Sequence, residues 1–67
     1  MNMKEILIKV YLMGCSKSTI AKILRIVHSK ADVEKLSGLI ARCETEDEVL
    51  AAIGGATNIY EALDNLK

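Results

Sequence analysis

Sixty-seven residues, with nine Lys and Arg against nine Asp and Glu, make one small and formally neutral domain. A chain of this length buries only about 60% of the surface that its unfolded form exposes, which argues against a large internal catalytic cavity. Apolar residues reach 51%, yet Trp and Phe are missing and Tyr occurs twice, so the core has to be aliphatic.

The first predicted helix is "MKEILIKVYLM", residues 3–13, whose Met3, Ile6, Leu7, Val10 and Tyr11 form one stripe at helical spacing. Gly14 is its natural left-handed stop. Ile8 and Leu12 carry the apolar surface nearly all round this helix, as would suit a dimer seam, a protein partner or a helix sandwiched in the core. Ser16 can cap the second helix, which is expected to bury Ile20, Ile23, Leu24 and Val27 and to show Ser18, Lys22 and Arg25 outside. A third helix should run over residues 30–42 behind Ser29 and Asp32, an imperfect capping box. It should bury Val33, Leu36, Ile40 and Cys43, and Gly38 inside it suggests a close helix contact. "TEDEV" is a capping box from Thr45 to Glu48 that opens a fourth helix ending at Gly54 and Gly55. The last helix, capped by Thr57 or Asn58, is expected to bury Ile59, Leu63 and Leu66. The pattern predicts an all-α fold over residues 1–67: one compact bundle of about five short helices with a helix-turn-helix-like core.

Domains this small usually reinforce their core with disulfides, a metal or a second subunit. Cys15 and Cys43 are too few for a disulfide framework and read as buried thiols in a reducing cytoplasm. Together with His28 they lack the paired spacing of a zinc site, so neither a metal nor a cofactor is expected. The longest apolar runs fall far short of the 18 or more residues of a membrane span, and no signal-peptide pattern is visible. No membrane role is expected. What remains is a second subunit, and the apolar surplus predicts a homodimer or a docked protein partner.

Charge is unevenly distributed along the chain. Residues 1–31 hold Lys4, Lys9, Lys17, Lys22, Arg25 and Lys30 against Glu5 alone, a net of five positive charges. Residues 32–67 hold eight acidic side chains against Lys35, Arg42 and Lys67, a net of five negative charges. Such asymmetry fits either two halves that attract each other or a basic face for an anion.

The stretch "MGCSKSTIAKIL", residues 13–24, carries the motifs of the chain. Its M-G-x-x-x-S would signal myristoylation only at a chain start, and twelve residues precede Met13. "GCSKST" matches the end of a phosphate-binding loop, but Ser16 and Tyr11 stand where the loop needs glycines to let backbone N–H groups curl round the phosphates. Nucleotide hydrolysis, other catalysis and a small-molecule substrate are therefore not expected. His28 has no nucleophile or acid at an interpretable spacing.

Two family resemblances remain. "MGCSKSTIAKILR" resembles the helix 1 to helix 2 region of ubiquitin-associated domains, with Met13 and Gly14 in the binding loop and Cys15 where that family carries an aromatic. "YLMGCSKSTIAKIL" is similar to small helix-turn-helix DNA-binding regulators, with Ala21 small where a recognition helix crosses it and Arg25 where such motifs usually carry glycine. That resemblance implies that "HSKADVEKL" supplies the recognition helix. His28, Ser29 and Lys30 would then meet the major groove while Lys17, Lys22 and Arg25 touch phosphates. The expectation is a dimeric, cytoplasmic DNA-binding regulator that is not an enzyme; the alternative is a protein-binding adaptor or inhibitor built on Ile8, Leu12 and the acidic half.

Overall fold

A computed structural model describes all residues 1–67. Five helices follow one another: α1 (Met3–Leu12), α2 (Lys17–Ile26), α3 (Lys30–Ala41), α4 (Glu46–Ile53) and α5 (Ile59–Asn65). The fold is all-α.

Each helix starts on a side chain that accepts the N–H three residues on, satisfying a donor that the helix itself leaves free. Asn2, Ser16, Ser29, Thr45 and Asn58 accept from Glu5, Thr19, Asp32, Glu48 and Glu61 respectively. In four of the five helices that third residue is an acid whose carboxylate reaches back to a backbone N–H. Glu5 accepts from Asn2, Asp32 from His28, Glu48 from Glu44 and Glu61 from Thr57. In α2 the corresponding residue is Thr19, which has no carboxylate, and Glu46 from α4 takes its place. At Ser29 and Thr45 the predicted caps form, but the returning carboxylates take the N–H of the residue before the cap, so a reciprocal capping box closes only at Asn2 and Glu5; Asn58 rather than Thr57 caps α5.

The principal helix contacts run from α1 to α2, α4, α5, α3 and back to α1, closing a ring around one aliphatic core. Ile6, Val10, Ile23, Leu36, Leu39, Ile40, Val49, Ile53 and Ile59 are buried there. Besides the bonds of Glu46, further polar contacts tie the ring. Lys9 Nζ donates to the Ile40 carbonyl at 3.0 Å, setting a cation at the C-terminal end of α3 where the helix dipole favours one. Asn65 Nδ2 donates to the Ala52 carbonyl at 2.8 Å, and the Lys35 ammonium lies 5.7 Å from the Tyr60 ring centre. No buried side-chain nitrogen or oxygen lacks a partner. Cys15 and Cys43 are buried, unpaired thiols, and burial pushes both above the usual thiol range, with Glu46 adding to the effect at Cys15 and Glu48 at Cys43.

Gly14 takes φ +87°, the left-handed stop expected after α1. Several packing expectations change. Tyr11 is exposed, because the buried arc of α1 is centred between Ile6 and Val10 on the opposite side. Leu24 is half-exposed while Thr19 and Ile26 are buried, since the bond from the Thr19 hydroxyl to Glu46 turns that face of α2 toward α4. Gly38 faces solvent, and a Cβ added there meets nothing within 4 Å. It marks no close helix contact, because α3 packs through Leu36, Leu39 and Ile40.

Gly38→Ala should therefore stabilise the fold by about 0.5–1 kcal/mol, by narrowing the unfolded ensemble without a clash. Thermal denaturation should show a midpoint raised by about 2–8 °C. A lowered midpoint would place Gly38 in a contact that the fold does not show.

Candidate nucleic-acid interface

The α2 face opposite the core is built by helical spacing from Lys17, Ser18, Ala21, Leu24 and Arg25. Lys17 and Arg25 are exposed, and Lys22 stands half-buried on its flank. Val27 leaves the helix in an extended conformation and carries the chain through His28 and Ser29 into α3, where Lys30 is the first helical residue. His28, Ser29 and Lys30 are all exposed. The one ion pair in the chain joins Lys67 to Asp64 at 3.4 Å, so Lys17, Lys22, Arg25 and Lys30 have no carboxylate within pairing distance. Nor does α2 contain an acidic residue. From its first to its last residue α2 advances about 14 Å, the length over which one strand of B-DNA presents about four phosphates.

The two ends of this strip differ. At the Lys17 end, Glu46 Oε2 accepts the Ser16 N–H at 2.6 Å and the Thr19 hydroxyl at 2.8 Å. These bonds, that from the Ser16 backbone first, hold the Glu46 carboxyl below its usual range. The α2 N-terminus is thus already occupied by an anion. At the other end Ser29 Oγ is engaged as the α3 cap, and the buried Asp32 carboxylate accepts the His28 N–H at 2.9 Å. That fixed negative charge under the tip of α3 opposes a phosphate there. The open part of the strip therefore centres on Lys22, Arg25 and the His28 side chain.

Ala21, which the helix-turn-helix resemblance sets beneath a crossing recognition helix, is exposed. The main neighbours of α2 are α1 and α4, and those of α3 are α1 and α5. Ile8 and Leu12 lie on a separate surface, the outer face of α1, where both are exposed. Cys15 and Cys43 are in the core while His28 is outside, and no three His, Cys, Asp or Glu side chains gather as a metal ion would need. No helix is long and apolar enough to cross a membrane.

Glu46 is the residue at this site that the sequence reading missed. The signal was local: α2 alone has no acid three residues after its cap, so a carboxylate had to come from elsewhere or the end would stay open. No protein-family model matches the chain, and no curated protein or solved structure shows significant similarity to it.

The lowered pKa of Glu46 makes a pH prediction. A carboxylate whose folded pKa lies below its unfolded value adds stability that is full above the ordinary Glu range, about 4.3, and is lost as pH falls through the folded value. Glu46→Gln should therefore lower the melting temperature at pH 7. The gap from the unsubstituted protein should close as the pH drops through the acid range. Equal melting temperatures at pH 7 would show that the Glu46 carboxylate does not stabilise the start of α2.

Proposed function

We propose that the protein is a small DNA-binding regulator that acts as a dimer in the cytoplasm and docks through the outer face of α2 and the turn after it. The observation that carries this reading is the run of cations without carboxylate partners, Lys17, Lys22, Arg25 and Lys30, around a helix that holds no acid. Phosphate neutralisation dominates the affinity of such contacts, and it needs cations that are exposed and not already neutralised. Lys22 and Arg25, one turn apart, would hold the backbone. Lys17 and Lys30 would extend the contact at either end. His28, whose backbone alone is engaged, would be the side chain nearest the bases, with the Ser29 hydroxyl beside it. No catalytic step, cofactor or small-molecule substrate enters this reading.

A second reading has its own observation. Exposure of Ile8 and Leu12 on α1, with Glu44 lining the groove beside them and the exposed acids Asp47 and Glu48 following it in the chain, suits a helical adaptor or inhibitor that binds another protein.

Titration of a labelled duplex, followed by fluorescence anisotropy, separates the two. If DNA is the partner, log K should fall with log salt at a slope of about −3 to −4, as expected for some four phosphate contacts. The double substitution Lys22→Glu and Arg25→Glu should abolish binding while circular dichroism stays helical. Undiminished binding by that variant would reject α2 as the surface, and no binding at low salt would leave the adaptor reading.

A further inference from the structure

Four of the six exposed large apolar side chains, Met1, Ile8, Tyr11 and Leu12, lie on α1 or just before it. Leu12 is 76% exposed, Tyr11 73% and Ile8 49%, and Met1 adds to the patch just before the helix. Ile8 forms a ridge between two shallow grooves, one lined by Met3, Lys4, Leu7 and Tyr11, the other by Glu5, Leu12, Met13 and Glu44. At about 100° per residue, Lys4 and Tyr11 fall on one side of Ile8, and Glu5 and Leu12 fall on the other at matching heights. Along α1, each side of the ridge thus has one charge near the start of the helix and one large apolar side chain near its end, and these two charges are opposite; the second groove also holds Lys9, whose ammonium is engaged by the Ile40 carbonyl, and Glu44 from the segment before α4.

We propose that this face is covered by a second copy of the chain, with the two α1 helices parallel and a two-fold axis running along Ile8. A two-fold parallel to the helices brings the Lys4 side of each copy against the Glu5 side of the other. Lys4 then pairs with the second copy's Glu5 twice over, Tyr11 packs on the second copy's Leu12 twice over, and the Ile8 side chains meet on the axis. An antiparallel pair fails this test: it sets Glu5 against the second copy's Leu12 and Lys4 against Tyr11, leaving both carboxylates without cations. The charge pattern therefore selects the second copy as occupant and also selects its direction. The seam is short, because a helix of 10 residues is about 15 Å long. It belongs with interfaces burying less than about 1,200 Å², which form weakly and reversibly. This deepens the dimeric part of the reading above and does not depend on the nucleic-acid part.

Sedimentation equilibrium without nucleic acid tests it. The weight-average mass of the unsubstituted protein should rise toward twice the monomer between about 10 µM and 1 mM, the range of a weak complex. Ile8→Glu should remain monomeric throughout, with unchanged helical circular dichroism. Lys4→Glu and Glu5→Lys should each weaken self-association at least tenfold, and an equimolar mixture of the two should recover it as a mixed dimer, since unlike charges again face each other. A protein that stays monomeric at 1 mM, or an Ile8→Glu variant that still dimerises, would overturn the proposal. Failure of the mixture to associate would overturn the parallel direction. Loss of DNA binding in the α2 variant would leave every one of these outcomes unchanged.

Discussion

No helix in this chain exceeds 12 residues and the shortest has 7, and isolated helices below about 12–15 residues are marginal in water. The whole structure answers that constraint. Each helix is closed at its start by a side chain and leans on two neighbours in the ring, so none depends on its own propensity. The bonds between Glu46 and the start of α2 show how far the dependence goes. They make the first turn of α4 part of the N-terminus of α2, across 30 residues of sequence. Hydrogen bonds that accept on a charged group are worth more than neutral ones, which makes this junction a stiff point in the ring.

The same arrangement shapes the surface. Because its capping carboxylate comes from another helix, α2 can carry cations along its outer face with no acid of its own to neutralise them. The start of α3 is organised the other way. Asp32 caps from within, so the tip of that helix keeps a negative charge beneath His28 and Ser29. Two consecutive helices thus both start on a carboxylate, borrowed from α4 in one and its own in the other, and the difference traces to one position, Thr19 against Asp32.

Much of the fold was legible in the sequence because its signals are local. Gly14, Ser16, Ser29, Thr45 and the glycine pair at 54 and 55 marked the helix limits through backbone conformation and side-chain capping, which neighbouring residues decide. Facing was harder. Leu24 and Tyr11 read as core from spacing alone, but the arc that each helix buries depends on which helix lies against it. That order, α1 to α2 to α4 to α5 to α3, follows no local pattern. Gly38 misled for a similar reason: a glycine within a helix suggests close approach, and here nothing approaches. Of the candidate site, the cations were plain in composition and their freedom from ion pairs was not. Glu46 could be inferred only from what α2 lacks.

The two thiols give the ring an internal gauge. Cys15 sits at the junction of α1 and α2 and Cys43 at that of α3 and α4, each shielded from solvent and held in the unreactive protonated form by burial. An alkylating reagent can reach either sulfur only while its corner of the molecule is open. The modification rate at each therefore measures how often that corner breathes, reported from inside an unaltered chain. Two different rates would mean that the circle of helices opens at one joint before the other.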